Sequence, residues 1–294
     1  MSRFFALALL LSGCDMLFQL DHLRVTADAP DAMIVRPDGA LPEWSQPTPL
    51  TGLNAPNTSA KYPYDSDASM TRDGLEIFFS SDRGNASGQF DIYHATRASV
   101  TASFGAPTVV TELSTSSGEA GQVNADGTEL YFTRMGNNGV FKSTRPSGGT
   151  WSNPTKTTIM PTIDVGNPAI SGDGLQFVVN ARVGTSDNDL YVLSRETQMD
   201  PWGPERHVVE VASTSEDGAG CLDQDGLVMF FHTERMAGVR QIYETTRPNV
   251  ADAFLFTSTY PAFEGDSTGS DPWISADRRT MVFSRDGDLY ISTR

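Results

Sequence analysis

The sequence predicts an all-β protein, a five-bladed β-propeller with four strands in each blade. Three observations lead to this prediction: an acidic turn residue recurs five times, apolar runs flank each turn, and no segment shows sustained helical periodicity. The turn residues lie roughly 50 residues apart, which suits one blade per repeat. They are Asp73, Asp126, Asp173, Asp225 and Asp277. Five repeats fall within the usual range of roughly four to eight blades.

Within each repeat, the pattern predicts three successive strands. An apolar residue stands three positions before the turn residue, as at Met70, and an apolar run follows the turn, as at 77–79. A third apolar segment closes each unit and ends in Arg, as from Asp91 to Arg97. Short runs rich in Phe, Tyr, Val and Ile, bounded by Gly and Asp, are typical of strands.

The turn between the first two strands is predicted to be a tight hairpin. Gly follows the acidic residue in the first four repeats, and Asp-Gly favours a primed turn because Gly accepts positive φ. In the fifth repeat, Arg278 stands in the place of this Gly. We therefore expect the fifth turn to be longer or strained.

A fourth strand is predicted after an aromatic residue that precedes a Pro. This pattern occurs at Phe104, Trp151 and Trp202, and a weaker equivalent lies around 253–256. One further copy, Trp44 to Pro47, stands before the first repeat, while the last repeat has only three strands. Residues 44–53 are therefore expected to supply the missing strand of the last blade. Such closure joins the first and last blades and leaves no long free edge.

The N-terminus has the order of an export signal. Arg3 precedes an apolar run over 4–11, which is too short for a membrane span. The tetrad Leu11-Ser12-Gly13-Cys14 resembles the lipobox of bacterial lipoproteins. The resemblance implies that residues 1–13 are a signal peptide and that Cys14 receives a diacylglycerol, which anchors the protein to a membrane of the cell envelope. The choice between inner and outer membrane stays open, and a secretory signal with an incidental cysteine is the alternative.

Residues 14–43 are rich in Asp, Ala and Pro without periodicity, which predicts a flexible linker. The repeats then fill 44–294. Their closest copy runs from Thr71-Arg72-Asp73-Gly74 through Ser80–Arg83 to Asp91–Tyr93, and it resembles the WD40-like (PD40) repeat of TolB and its relatives. The resemblance implies a β-propeller and is weak for function. TolB carries an additional α/β domain that this pattern does not predict, so its role is not transferred.

The formal net charge of −16 makes nucleic acid an unlikely partner, since an acidic surface repels phosphates. Oxygen-bearing side chains stand where the first strands begin near the channel: Asp67, Glu119, Asn167, Asp217 and Asp271. A ring of such groups would suit a ligand or a hard cation such as Ca²⁺. The alternative is that they bond backbone amides at the strand starts.

Five arginines follow the second strands, namely Arg83, Arg134, Arg182, Arg235 and Arg285. Arg pairs with carboxylates in a bidentate way, so these residues are expected to bridge to Asp residues as scaffold, with ligand binding as the alternative. Cys221 lies in an apolar stretch, which predicts a small buried hydrophobe.

No catalytic residue is predicted. The four histidines occupy unrelated repeat positions, and neither Gly-x-Ser-x-Gly nor His-Glu-x-x-His occurs. The predicted function is that of a non-enzymatic binding or scaffold protein that presents a propeller face to an envelope protein, a peptide or a glycan, with no cofactor beyond the acyl anchor. The alternatives are a five-bladed glycosidase and a purely structural envelope component. A glycosidase requires two carboxylates from different blades, about 5–10 Å apart, in an open central cleft.

Overall fold

The computed structural model describes residues 43–56, 63–84, 88–114, 118–184, 187–236, 238–255 and 268–294, and for 118–120 it describes the backbone. The predicted signal peptide, Cys14 and the predicted linker up to residue 42 lie outside these ranges. In the described part, no helix has the length and apolarity that crossing a membrane requires.

Five antiparallel sheets form a five-bladed propeller, as the sequence predicts. Strand β1 (Thr48–Pro49) comes first and belongs to the last blade. Blade one has β2 (Asp65–Met70), β3 (Glu76–Ser81), β4 (Asp91–Thr96) and β5 (Thr108–Val109). Blade two has β6 (Gly118–Val123), β7 (Glu129–Arg134), β8 (Asn137–Thr144) and β9 (Thr155–Lys156). Blade three has β10 (Val165–Ile170), β11 (Gln176–Ala181), β12 (Asp189–Ser194) and β13 (Arg206–His207).

Blade four has β14 (Asp217–Leu222), β15 (Val228–Thr233) and β16 (Gln241–Thr246), and blade five has β17 (Ser270–Ile274), β18 (Thr280–Arg285) and β19 (Asp288–Thr293). At the weak fourth-strand position of blade four, Leu255 forms a single bridge to Thr246. The second strands carry most of the largest fully buried side chains. Phe78, Phe132, Phe177, Phe230 and Phe283 are fully buried there.

The hairpin between the first two strands is wider than the predicted primed turn. In blade one, Thr71 N donates to Glu76 O at 3.1 Å, so four residues form the loop, and positive φ occurs at Gly74 alone. The carboxylate of Asp73 stabilises this loop by accepting from Leu75 N at 3.0 Å and Thr71 Oγ1 at 2.6 Å. The prediction of a two-residue turn was therefore wrong, although the Gly does supply the left-handed residue.

Arg278 adopts φ 58° in blade five, and its loop has the same length as the others. Of the two predicted outcomes, a longer or a strained turn, the structure shows the strained one, because a left-handed backbone disfavours a side chain with a Cβ.

The arginine that ends each unit locks the same loop in all five blades. Its Nε donates to the carbonyl of the left-handed loop residue at 2.6–2.9 Å. Its guanidinium also stacks at 4.2–4.5 Å on the aromatic residue that introduces the fourth strand. The five pairs are Arg97 with Phe104, Arg145 with Trp151, Arg195 with Trp202, Arg247 with Phe254, and Arg294 with Trp44. The predicted fourth-strand aromatics therefore pack as scaffold.

The N-terminal segment closes the ring, as predicted. Strand β1 pairs antiparallel with β19, placing Thr48 opposite Ile291. Ser45 N donates to Thr293 O at 2.7 Å, which extends the pairing towards the N-terminus. Leu53 follows this strand and is buried in a core cluster shared by blades one, four and five.

Candidate functional site at the channel mouth

The first strand of every blade carries a β-bulge near its start. The register with the second strand shifts after Ser66, Glu119, Gly166, Gly218 and Ser270. In four blades the next residue is left-handed, with φ between 43° and 53°: Asp67, Asn167, Ala219 and Asp271. Asp and Asn tolerate this conformation better than other residues with a Cβ, which accounts for three of the four identities. A bulge re-aims the side chain of the extra residue.

The three polar bulge residues meet in the central channel. Asn167 Nδ2 donates to Asp67 Oδ1, and it lies 3.3 Å from Asp271 Oδ1. Blades one and three are not neighbours in the ring, so this contact crosses the channel. Ser66 Oγ and Ser270 Oγ donate to the outer carboxylate oxygens at 2.8 and 2.7 Å. Two carboxylates thus share one amide nitrogen at the channel mouth.

Of the other two predicted channel residues, one has a described side chain, and it is not part of this cluster. The side chain of Glu119 lies outside the described residues. Asp217 is fully buried, and its oxygens accept from Arg235 Nη2 at 2.8 Å and from Ser213 N at 2.6 Å. The expectation that Asp217 faces the channel is corrected, because it precedes the bulge and points into the blade.

In the described part, no group of three or more His, Cys, Asp and Glu side chains is arranged to hold a metal ion. At the Asp67–Asn167–Asp271 cluster, the Asn167 amide nitrogen donates towards both carboxylates. The Ca²⁺ ion that the sequence suggested stays a prediction.

A second set of polar residues, which sequence reasoning missed, lies on the second strands. Seven positions after each turn Asp, a buried polar side chain interrupts the apolar run: Ser80, Thr133, Asn180, His232 and Ser284. The signal was visible in the aligned repeats as one polar residue in the same place of every strand. Because the runs around it are apolar, the sequence pattern predicts that these strands are core along their whole length.

The two large members of this set face glycines. Asn180 pairs with Gly166, and His232 pairs with Gly218. A Cβ on these glycines would lie 3.0 Å from Asn180 Nδ2 and 2.9 Å from His232 Nε2. In blades one and five the paired residues are both serines. The glycines therefore make room for large polar side chains in blades three and four alone, and the fivefold pattern becomes asymmetric.

These features surround an open cavity of about 420 Å³. Its lining comes from blades one, three, four and five and includes the Asp67–Asn167–Asp271 cluster together with Asn180 and His232. Tyr64 and Phe90 form an aromatic wall at its edge, with ring centroids 6.1 Å apart in an edge-to-face arrangement. Burial and the nearby Asp271 carboxylate raise the pKa of Tyr64.

An ion-pair network lies on the blade-four side of the cavity. Arg240 Nη2 lies 3.1 Å from Glu216 Oε1, and Arg240 Nε lies 3.0 Å from Glu234 Oε1. His232 Nε2 lies 3.5 Å from the same Glu216 oxygen. The pKa of Glu216 is held below its usual value. His232 has the largest effect, burial acts in the opposite direction, and Arg240 lowers the pKa further. Glu216 is therefore an ionised carboxylate at neutral pH.

Two buried polar atoms in the cavity wall lack a hydrogen-bond partner. They are Asn180 Oδ1 and His232 Nε2. The 3.5 Å separation between His232 Nε2 and Glu216 Oε1 is that of an ion pair without a short hydrogen bond. Asn180 is 6 % exposed and His232 is 2 % exposed. Each such orphan costs roughly 1–3 kcal/mol of stability.

The five repeated arginines lie away from the cavity, and they differ between blades. Arg83 pairs with Asp65 at 2.7 Å, and Arg235 pairs with Asp217 at 2.8 Å. Arg134 and Arg285 stack on aromatic rings of their own blades, while Arg182 is exposed. In blades one and four, where an Asp begins the first strand, the described contacts include the predicted carboxylate bridge.

Comparison with known proteins adds a likeness of fold. No family model and no curated protein matches the sequence. Among solved structures, the catalytic domain of a GH62 α-L-arabinofuranosidase from Coprinopsis cinerea superposes with a TM-score of 0.58 at 12 % identity, covering 85 % of this chain and 96 % of that one.

Two further solved structures are similar. A Podospora anserina α-L-arabinofuranosidase gives a TM-score of 0.57 at 13 % identity, with coverages of 84 % and 94 %. A putative TolB from Agrobacterium tumefaciens gives 0.47 at 16 %, with coverages of 76 % and 70 %. At such identities the likeness to the arabinofuranosidases shows the fold alone: the chain is a five-bladed β-propeller whose function is to be argued from the channel mouth.

Proposed function

We propose that this protein is a lipid-anchored binding protein of the bacterial cell envelope, which holds a polar ligand in the channel-mouth cavity. One observation carries the proposal: Asn180 Oδ1 and His232 Nε2 are buried in the cavity wall without partners. Nearly all buried polar groups in proteins are hydrogen-bonded, so two orphans facing one open cavity point to a bound partner group. The volume of about 420 Å³ suits a small ligand or one residue of a larger glycan or peptide.

The asymmetry of the ring supports the same conclusion. Residues that only build the propeller recur in every blade, as the loop-locking arginines do. Asn180 and His232, with Gly166 and Gly218 opposite them, are confined to two blades. A recognition site needs such local differences, because a fivefold symmetric ring offers the same groups in every direction.

Binding can be tested with the lipid-free Cys14→Ser chain against immobilised cello-, xylo- and peptidoglycan-derived oligosaccharides and against envelope extract. We expect a component that the parent chain retains and that Asn180→Leu loses. Asp126→Asn, which changes an exposed turn at the opposite end of blade two, should retain it. A parent chain that retains nothing, or an identical set retained by Asn180→Leu, would contradict the proposal.

A glycosidase is the second candidate, favoured by the carboxylates of Asp67, Glu216 and Asp271, which reach one open cleft from three blades. Glycoside hydrolysis also needs a carboxylic acid whose raised pKa keeps its proton. The pKa of Glu216 is shifted in the opposite direction, which suits the ionised carboxylate of such a pair and leaves the acid unassigned, so binding ranks first.

Hydrolysis of 4-nitrophenyl α-L-arabinofuranoside and of arabinoxylan tests the second candidate directly, since arabinofuranosidases share the fold. We expect no product above the blank. Product release by the parent chain that disappears in Asp271→Asn would establish the enzyme instead.

The anchor is tested at Cys14. We expect the unsubstituted protein to partition with membranes and to incorporate labelled palmitate, because buried acyl chains hold it there. Cys14→Ser should move it to the soluble fraction without label. Unchanged partitioning, or absence of label in the parent protein, would refute the lipid anchor.

A further inference from the structure

We propose that the channel-mouth cavity recognises a primary ammonium group on a carbon chain, so that its ligand is an organic amine. This inference rests on the proposed function and names the ligand class of the same site.

The charge of the cavity wall favours a cation. Its described lining has four carboxylates, Asp67, Asp164, Glu216 and Asp271, against the basic side chains of Arg240 and His232. Arg240 is bonded to both Glu216 and Glu234. The carboxylate of Asp271 accepts from the neutral donors Asn167 and Ser270 and lies 3.8 Å from His232 Nδ1. The Asp67 carboxylate reaches the same Asn167 nitrogen, so two like charges lie close together. Coulomb repulsion between them weakens when a positive charge enters the cavity.

The unpaired acceptor Asn180 Oδ1 narrows the class of ligand further. Asn180 Oδ1 needs a donor, and the carboxylates of Asp67 and Asp271 are acceptors as well. An ammonium group offers three N–H donors and no acceptor, whereas each hydroxyl of a sugar also needs a donor from the wall. A Cβ on Gly218 would lie 2.9 Å from His232 Nε2 and 3.8 Å from Asn180 Cγ, so the two side chains that carry the orphan atoms lie near the same glycine.

The aromatic wall is the reason to expect a carbon chain on the ammonium group. Tyr64 and Phe90 present ring surface at the cavity edge, and Tyr64 is 39 % exposed. Aromatic faces attract ammonium groups and pack against aliphatic chains.

Two amines test the inference by calorimetric titration of the lipid-free Cys14→Ser chain at low ionic strength. Spermidine represents a free polyamine, and Nα-acetyl-lysine methylamide represents a lysine side chain of a protein. We expect at least one to bind, and the arm that binds identifies the source. Nε-acetylation of the lysine probe, or the diol of matching length for spermidine, should abolish the heat of binding, since the positive charge is lost.

Asp271→Asn should weaken amine binding about tenfold, the effect of losing one charge-assisted hydrogen bond. Asn also tolerates the left-handed backbone of this position, where φ is 53°, so the fold is preserved. Asp126→Asn removes the same charge at the opposite end of a blade and should change the affinity by less than about twofold, because salt screens remote charges.

Failure of both amines to bind would overturn the inference, as would equal weakening by Asp271→Asn and Asp126→Asn, which would indicate general attraction to an acidic surface. These failures are distinct from failure of the proposed function. If the parent chain binds an oligosaccharide and Asn180→Leu does not, the result would support binding at the cavity and refute the ammonium inference.

Discussion

Asn180 and His232 occupy equivalent positions of neighbouring blades, and each is buried opposite a glycine. Their strands otherwise consist of core residues such as Val178 and Phe231, both fully buried. Placing an amide and an imidazole there costs stability unless a partner satisfies them. We therefore expect the polar groups that bind the ligand to lower the stability of the unliganded protein. Substitutions of Asn180 and of the neighbouring Glu216 test the energetics of the site at the residue scale.

Asn180→Leu should stabilise the unliganded protein by about 1 kcal/mol, because the orphan Oδ1 disappears while the volume is kept. For a domain of this size, the melting temperature should rise by about 2–4 °C. The matched control is Asn124→Leu. Its Oδ1 accepts from Thr128 N at 2.8 Å and Glu129 N at 2.9 Å, so that variant should melt earlier. A lower melting temperature for Asn180→Leu would show that its amide is satisfied.

Glu216→Gln should make stability less dependent on pH. The folded protein holds the pKa of Glu216 below its ordinary value near 4.5, so the carboxylate stabilises the fold above that pH. This contribution is lost as the pH falls through the lower folded value. The difference in melting temperature between parent and Glu216→Gln should therefore be larger at about pH 7 than at about pH 3. A difference between the two proteins that is the same at both pH values would refute the assignment.

The candidate site was partly predictable from residues. Aligned repeats placed Asp67, Asn167 and Asp271 at one position, and the structure brings these three together. The prediction that Asp217 faces the channel was wrong. The sequence does not show where the bulge begins, and Asp217 precedes the bulge and pairs with Arg235 inside the blade. The pairing of Gly218 with His232 depends on strand register, which only the folded sheet reveals.

At the scale of elements, the hairpin loop and the arginine that locks it form one repeated unit. The loop residue is left-handed in every blade, and the arginine Nε bonds to its carbonyl. The sequence predicted the hairpin and the glycine, but it predicted a two-residue turn. In blades one, three and five, Asp73, Asp173 and Asp277 accept hydrogen bonds inside a wider loop, whereas Asn124 and Asp223 accept them in blades two and four. The Asp-Gly pair alone does not distinguish this loop from a primed turn.

Gly74→Ala should destabilise the protein by about 1 kcal/mol, because φ is 66° and a Cβ is disfavoured in left-handed backbone. The matched change in blade five is Arg278→Ala, where a Cβ is already present at φ 58°. Chemical unfolding should give a smaller loss for Arg278→Ala than for Gly74→Ala. Equal losses would mean that the side chain of Arg278, and not its backbone, stabilises the loop.

At the scale of the whole molecule, the ring is held closed by residues 48–53. The sequence predicted this closure, since a fourth-strand pattern stands before the first repeat and is missing after the last. The five blades were equally predictable, because the repeat is long and occurs five times. The depth and asymmetry of the cavity were not, because they arise from contacts between blades.

Leu53→Ala should cost about 3 kcal/mol, because Leu53 is buried where the first and last blades meet. Leu255→Ala removes the same atoms from the weak fourth strand of blade four, where Leu255 is 40 % exposed, and should cost less than about 0.5 kcal/mol. Urea unfolding of both variants gives the comparison. Similar losses would show that the closing segment contributes no more than a surface strand.

The direction of strand β1 also sets how the propeller is presented. Ser45 bonds to Thr293, at the end of β19 that is farthest from the channel-mouth cavity, and the chain then runs towards the cavity side. The described domain is thus entered from the face opposite to its cavity. Under the proposed attachment through Cys14, tension on the chain would act first on that rear face, at the bond between Ser45 and Thr293.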